Sequence, residues 1–290
     1  MSRPPQLLLI SLVYGVGVSM ALAQGFELQK PETVYGILSL ILVSSSVHYA
    51  NEYADYGTDA LTERTRFSGG SGALVRTGLP RSLALVCAFV SLSLGVIVTL
   101  LLLSEGYMNP VATGVLAFGV FFGWMYSLPP LKLAWRGLGE VDNAVLGGIA
   151  LPLYGYSVQT GRISTDVILA CIPFASVVFV NLLATTWPDR HADEAVGKNT
   201  LATRWSVKSL RVTYLGGVGV SIVSLMVMTG EVIPSLVVWS TLLSVPFLLW
   251  GFLYYTRRTT PFPTVAAMVV MASAQLIAWL LVSGFPPAFV

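Results

Sequence analysis

Long apolar segments recur along almost the whole chain and constrain its fold more than any other feature. A helix needs about 20 mainly apolar residues to cross the hydrocarbon core of a bilayer. Segments of this kind lie near residues 7–23, 33–50, 82–104, 110–128, 141–159, 166–187, 212–228, 232–255 and 263–283. Hydrophobic residues make up 55% of the chain and charged residues 10%, against roughly 25% charged in soluble proteins. The sequence therefore predicts an all-α, polytopic membrane protein built as a bundle of nine transmembrane helices.

The connecting segments are too short for a second soluble domain, so we expect one membrane domain over residues 1–290. A net charge of +2, with basic residues scattered over short loops, argues against nucleic-acid binding. Cys87 and Cys171 lie inside apolar segments without metal-ligand spacing, and we interpret them as buried structural thiols.

The first apolar segment has two possible interpretations. Ala21-Leu22-Ala23 followed by Gln24 resembles the small-residue cleavage site of a signal peptide. A retained first span is favoured, because only Arg3 precedes the segment and a polytopic chain follows it.

Lysine and arginine are distributed unequally between the two sides that nine spans would create, and this asymmetry predicts orientation. One side carries only Lys30 and Arg162. The other carries Arg3, Arg64, Arg66, Arg76, Arg81, Lys132, Arg136, Arg190, Lys198, Arg204, Lys208, Arg211, Arg257 and Arg258. We therefore expect a cell-membrane protein with a cytoplasmic amino terminus and an external carboxyl terminus. The two long cytoplasmic connections, after helices 2 and 6, are expected to fold as caps over the membrane surface.

Polar side chains recur every four residues where the second span ends. Asn51, Asp55 and Asp59 would share one face if the helix continues through them. Like charges at this spacing repel each other by a few tenths of a kcal/mol, and a cation between them would relieve this repulsion. Their oxygen atoms are ligands that suit Mg²⁺, which is typically held by one or two carboxylates together with substrate phosphates.

A second acidic pair, Asp189 and Asp193, has the same spacing at the end of the sixth span. Basic residues follow both motifs: Arg64 and Arg66 the first, Lys198 the second. A lone acidic residue at a span end is most often an ordinary interfacial residue. Two matched sets on the same membrane face instead predict a diphosphate site, in which carboxylates hold metal ions and cations bind the remaining phosphate oxygens.

Two further segments on this membrane face are weaker candidates. The connection between spans 4 and 5 contains Tyr126 and Lys132, which become candidate diphosphate ligands only because the acidic motifs lie on the same side. The run Gly69-Gly70-Ser71-Gly72 lacks the lysine and serine or threonine of a phosphate-binding P-loop. We interpret it as a flexible turn that could close over substrate.

Together these motifs resemble the UbiA superfamily of intramembrane prenyltransferases. Its signatures are N-x-x-x-D-x-x-x-D after the second helix and D-x-x-x-D after the sixth, on nine transmembrane helices. Asn51, Asp55 and Asp59 match the first signature, and Asp189 and Asp193 match the second. The run 197–201 and the segment 126–140 also resemble the family, so the likeness covers nearly the whole chain. The chain departs from common members at Glu52, where Asp is usual, and at Trp187-Pro188.

The resemblance implies an Mg²⁺-dependent enzyme that transfers a polyprenyl group from polyprenyl diphosphate to a small aromatic acceptor within the bilayer. The two acidic motifs would bind Mg²⁺ ions bridging the diphosphate, and an allylic carbocation would be attacked by an acceptor carbon that then loses a proton. The Asn51–Tyr56 run resembles the 1,4-dihydroxy-2-naphthoate branch, which acts in menaquinone synthesis. Hydroxybenzoate, homogentisate, chlorophyllide, haem, glyceryl phosphate lipids and carotenoids are alternative acceptors.

An ion-coupled transporter is the alternative from another functional class, because buried acidic residues often mark ion pathways. Transporters usually carry their polar residues near the bilayer midplane and contain broken helices in corresponding halves. Here the acidic residues cluster at one membrane face, which favours the enzyme.

Overall fold

A computed structural model describes residues 1–62, 67 and 70–284. The α-helices are α1 (Pro4–Ala23), α2 (Lys30–Ala54), α3 (Tyr56–Asp59), α4 (Ala73–Thr77), α5 (Arg81–Ser104), α6 (Pro110–Ser127), α7 (Gly139–Val145), α8 (Leu151–Thr160), α9 (Thr165–Thr186), α10 (Arg190–Ala195), α11 (Leu201–Arg204), α12 (Val207–Val227), α13 (Ser235–Thr241), α14 (Val245–Tyr254) and α15 (Phe262–Val282). Short 3₁₀ segments occupy Leu133–Arg136 and Leu242–Ser244, and a π-turn occupies Leu146–Ala150. The described part of the chain contains no β-strand, which confirms the predicted all-α fold class.

Eight helical segments of the described chain are long and apolar enough to cross a membrane. They correspond to the predicted spans except the fifth, which is divided between α7, the π-turn and α8. Pro152 is the second residue after this π-turn, and proline has no N–H to donate within a helix, which accounts for the irregularity. The chain is therefore an integral membrane protein with multiple apolar helices, and the count of nine spans stays a prediction.

The amino-terminal helix α1 packs against α8 through two glycines. A Cβ atom at Gly17 would collide with the backbone of Pro152, and one at Gly155 would collide with the backbone of Tyr14. In a bilayer, helix association depends on close van der Waals packing, which small residues permit. The hydroxyl of Tyr14 continues the contact network by donating to the backbone oxygen of Thr33 at 3.1 Å, which connects α1 to α2.

Short helices follow the second and the sixth spans and bring the acidic residues into position. Helix α3 continues from α2, and α10 continues from α9 after a turn at residues 187–189. Helices α3 and α10 contact each other, so the ends of these two spans meet at one end of the bundle. This contact positions the candidate site.

Candidate active site

Lys198 joins the two acidic motifs. Its Nζ lies 3.0 Å from Asp55 Oδ1 and 3.5 Å from Asp193 Oδ1. The lysine and both carboxylates are largely buried, so this contact is only weakly screened by water. The motifs, separated by more than 130 residues in sequence, therefore form one charged centre.

The helix breaks at Asp55, yet the first motif retains helical spacing. Helix α2 ends at Ala54, and α3 begins at Tyr56. The Asp55 N–H nevertheless donates to the carbonyl of Asn51 at 2.8 Å, and the Asp59 N–H donates to the carbonyl of Asp55 at 2.8 Å. These two i to i−4 bonds retain the helical spacing predicted for Asn51, Asp55 and Asp59.

The second motif has the same local geometry. The Asp193 N–H donates to the carbonyl of Asp189 at 2.9 Å, and the Lys198 N–H donates to the carbonyl of Asp193 at 2.8 Å. The second bond turns the chain after α10 so that the Lys198 side chain reaches back to the acidic residues. Asp189 lies close enough for its charge to act on the carboxyl of Asp59.

The crowded carboxylates perturb one another. Burial, followed by the charge of Asp55, raises the pKa of Asp59 to about 7. Burial raises the pKa of Asp193 to about 6, although Lys198 opposes this shift. Burial alone would lower the pKa of Lys198, but Asp55 and Asp193 together raise that pKa above its ordinary value. A cation is therefore strongly favoured between the two motifs.

Asn51 is held in place from a neighbouring span. Ser127 Oγ, at the end of α6, donates to Asn51 Oδ1 at 2.8 Å. One turn earlier in α6, Trp124 Nε1 donates to the buried Ser46 Oγ at 3.0 Å. Polar residues near the end of α2 thus line a helix–helix contact, and Asn51 Oδ1 retains one lone pair for a further partner.

The segment between α6 and α7 and the start of α7 contact the chain that follows the second motif. The Asn199 N–H donates to the carbonyl of Trp135 at 3.3 Å, and the Leu201 N–H donates to the buried Glu140 Oε1 at 3.3 Å. The ring of Tyr126, near the end of α6, lies against the start of α7, where a Cβ atom added at Gly139 would approach its Cε2 to 3.2 Å.

The other basic residues predicted to bind diphosphate do not share the position of Lys198 within the described residues. The Lys132 ammonium lies over the Trp135 ring, 5.2 Å from its centroid, and among the described residues it forms no ion pair. Arg64 and Arg66 lie outside the described residues. Ser71 of the predicted flexible turn is bound through both its N–H and its hydroxyl to Glu52.

Comparison with known proteins decides the family. The model of the UbiA prenyltransferase family matches residues 9–257. The chain belongs to this family. The chain is thus a prenyltransferase. This confirms the enzyme class predicted from the motifs and decides against the alternative of an ion-coupled transporter.

Individual relatives of this UbiA protein agree with that assignment. The 1,4-dihydroxy-2-naphthoate octaprenyltransferase of Bacillus subtilis (strain 168) is 25% identical over 240 residues, which cover 80% of this chain and 73% of the relative. The apo structure of a UbiA homologue from Aeropyrum pernix K1 superimposes with a TM-score of 0.74 at 13% identity, covering 96% of this chain and 99% of the other. A UbiA homologue from Archaeoglobus fulgidus, solved with GPP and Mg²⁺, has a TM-score of 0.64 at 15% identity, covering 95% and 96%. These structures share the fold of this UbiA chain.

Sequence reasoning missed two buried acidic residues of this UbiA chain, Glu140 and Asp142, at the start of α7. Glu140 lies in the predicted connection between spans 4 and 5, and Asp142 lies in the predicted fifth span, so neither belonged to a candidate motif. An acidic residue directly before an apolar segment is the signal that could have identified them. Glu140 orders the chain after the second motif through its bond to Leu201.

Proposed function

We propose that this UbiA prenyltransferase transfers a polyprenyl group from polyprenyl diphosphate to 1,4-dihydroxy-2-naphthoate and releases diphosphate. The observation that carries the proposal is the contact of Lys198 with Asp55 and Asp193, which unites two acidic motifs in one centre. The acceptor assignment is supported by the Bacillus subtilis relative, a 1,4-dihydroxy-2-naphthoate octaprenyltransferase.

The chemistry of the donor atoms supports Mg²⁺ as the cofactor. Asn51, Asp55, Asp59, Asp189 and Asp193 would supply its oxygen ligands. No group of three acidic, histidine or cysteine side chains surrounds a single point within the described residues. Mg²⁺ typically needs only one or two carboxylates from the protein when phosphate oxygens and water complete its octahedron. When bound, Mg²⁺ would act as a Lewis acid that neutralises charge developing on the departing diphosphate. The Archaeoglobus fulgidus homologue solved with GPP and Mg²⁺ is consistent with this assignment.

Residues of the chain would bind the diphosphate directly. Lys198 carries an ammonium with three donors, of which two point towards carboxylates and one remains for a phosphate oxygen. The Tyr126 hydroxyl, near the end of α6, would be a second donor. Lys132, which now lies over Trp135, would need to turn towards the substrate. Arg64 and Arg66 stay proposed ligands on sequence grounds alone.

The bond changes follow from the allylic donor. The bond between the allylic carbon and the diphosphate oxygen breaks, and its electron pair leaves with diphosphate. A new bond then forms between the allylic carbon and an electron-rich acceptor carbon. That acceptor carbon restores its aromatic system by losing a proton, or CO₂ where it carries a carboxylate. An allylic cation survives only where water is excluded, and apolar helices of this protein would line such a site.

We further propose that residues 1–290 form one prenyltransferase domain with nine spans, α7 to α8 being the fifth. The acidic motifs and the amino terminus would lie in the cytoplasm and the carboxyl terminus outside. The excess of lysine and arginine on the motif side supports this orientation.

Acceptor competition tests the proposal. The purified protein in nanodiscs is given octaprenyl diphosphate, Mg²⁺ and equimolar 1,4-dihydroxy-2-naphthoate, 4-hydroxybenzoate, homogentisate and geranylgeranylglyceryl phosphate, and products are identified by mass spectrometry. We expect a prenylated naphthalene product from the wild type and none from Asp55→Asn. Asp166→Asn, an exposed acidic residue at the start of α9, is the matched control and should behave as the wild type. Prenylation of a different acceptor would refute the acceptor assignment, and an active Asp55→Asn variant would refute the site.

A further inference from the structure

Glu52 is the residue at which the first motif departs from common family members, and it is buried at the end of α2. Only 2% of its surface is exposed. Its Oε1 accepts from Arg3 Nη2 at 2.7 Å and from the Ser71 N–H at 2.8 Å. Its Oε2 accepts from Ser71 Oγ at 2.6 Å. The Glu52 side chain, which is longer than that of the usual aspartate, thus connects α2 with the amino terminus and with the turn that precedes α4.

These bonds occupy most of the acceptor capacity of the carboxylate. Two carboxylate oxygens offer about four lone-pair sites, and Arg3 Nε adds a fourth donor at 3.3 Å. Glu52 is therefore engaged by protein donors, although it lies next to the motif residue Asn51. Any effect of Glu52 on the acidic motif must therefore be transmitted through its partners, Arg3 and Ser71.

The turn held by Glu52 lies against the first acidic motif. A Cβ atom at Gly70 would overlap the carboxylate of Asp59. Gly70 also has a φ of +62°, in the left-handed region that favours glycine. Ser71, the next residue, is fixed by Glu52, and its Oγ also accepts from the Ala73 N–H at 3.1 Å where α4 begins. The chain on one side of Asp59 is thus positioned by Glu52.

We propose that Glu52 is a positioning residue that, through Ser71, holds the Gly70 backbone against Asp59 and so orients this carboxylate for the polyprenyl diphosphate. The inference rests on the proposed function, since it assigns Asp59 to the donor site. It changes the interpretation of the 70–72 segment from a freely flexible turn to an anchored wall of that site. The aspartate that is usual in the family has a side chain one methylene shorter. The longer side chain of glutamate allows the carboxylate at this position to reach both Arg3 and Ser71.

If Glu52 were only a structural anchor, its loss would affect folding without changing the KM for the polyprenyl donor. The experiment therefore measures both stability and this KM. Glu52→Gln removes the charge but retains the shape, whereas Ser71→Ala removes only the hydroxyl. Ser71→Thr retains the hydroxyl and is the conservative variant. Glu194→Gln removes an exposed acidic residue on α10 and serves as the charge-matched control. Thermal unfolding checks that each variant in nanodiscs is folded.

Two readouts are compared between variants. Hydrogen–deuterium exchange of the backbone amide of residue 71 needs no substrate, and we expect it to be roughly tenfold faster in both Glu52→Gln and Ser71→Ala. In Glu52→Gln the group that accepts from this amide loses its charge, and in Ser71→Ala the hydroxyl bond that holds the turn is lost. The KM for octaprenyl diphosphate should rise by roughly tenfold in the same variants, while the acceptor KM changes less than twofold. Ser71→Thr and Glu194→Gln should match the wild type in both.

The outcomes separate this inference from the proposed function. Unchanged exchange in Glu52→Gln, or faster exchange with an unchanged donor KM, would overturn the positioning role. If Glu52→Gln does not fold, the same criteria apply to Ser71→Ala. A wild type that binds no octaprenyl diphosphate, measured by thermal shift with Mg²⁺, would overturn the proposed function and this inference together. A wild type that binds it while both variants bind equally well overturns this inference alone.

Discussion

Lys198 Nζ lies 3.0 Å from Asp55 Oδ1, although 143 residues separate them in the chain. The same ammonium lies 3.5 Å from Asp193, so one cation is shared by carboxylates from two different spans. A buried cation between two carboxylates is a strong link, because removing it leaves both charges without compensation. This relationship makes Lys198 the most informative residue to vary.

Lys198→Ala should lower kcat/KM for the polyprenyl donor by at least roughly 30-fold. Losing one partner of a buried, hydrogen-bonded charge pair costs about 2 kcal/mol or more, and every 1.4 kcal/mol is about tenfold. Prenyl transfer from labelled octaprenyl diphosphate measures the effect. Lys208→Ala, an exposed lysine at the start of α12, is the matched control and should retain full activity. Equal activity of Lys198→Ala and the control would contradict the shared role of this lysine.

Removing divalent cations should stop diphosphate release, and adding Mg²⁺ should restore it. The reason is that Asp55, Asp59, Asp189 and Asp193 carry oxygen ligands suited to Mg²⁺, which would neutralise the charge on the departing diphosphate. Diphosphate release is followed after treatment with EDTA, then with MgCl₂ or CaCl₂. Ca²⁺ should restore less activity, since it prefers more ligands at longer distances. Full activity in excess EDTA would rule out the metal assignment.

Ser127→Ala should raise the Mg²⁺ concentration that activity requires without unfolding the protein. Its hydroxyl orients Asn51 through a bond of 2.8 Å, and a typical hydrogen bond contributes about 1 kcal/mol. The Mg²⁺ concentration for half-maximal activity is therefore expected to rise by roughly fivefold. Ser104→Ala, at the end of α5, removes a hydroxyl that bonds only its own helix and is the control. An unchanged Mg²⁺ titration would show that Asn51 needs no such support.

Gly17→Leu should destabilise the protein, because its side chain would enter the backbone of α8 at Pro152. Overpacking of this kind typically costs about 1–3 kcal/mol, and we expect a lower midpoint of thermal unfolding in detergent. Gly114→Leu is the matched control in α6, where an added Cβ meets no atom within 4 Å. If both variants unfold at the same temperature, the close approach of α1 and α8 is not required for stability.

Hydropathy in the sequence was sufficient to predict the all-α membrane fold, and the resemblance of the two acidic motifs to the UbiA superfamily was sufficient to predict the family and the enzyme class. This succeeds because the bilayer imposes a minimum length on each apolar segment, and because fourfold spacing brings Asn51, Asp55 and Asp59 to one helix face. The predicted fifth span corresponds to α7, the π-turn and α8, and its crossing of the membrane stays a prediction. The π-turn before Pro152 was not predicted, since it depends on how neighbouring helices accommodate the missing N–H.

Contacts between distant segments were decided only by the tertiary structure. Spacing along the chain predicts which side chains share a helix face, but not which of several basic residues reaches them across the bundle. Among the candidates, Lys198 contacts the acidic motifs while Lys132 lies over Trp135. The anchoring of Ser71 by Glu52 likewise depends on a fold that brings residues 19 positions apart together. The spacing of residues along one helix can be read from the sequence. The pairing of charges across helices depends on tertiary packing, which short-range sequence patterns do not predict.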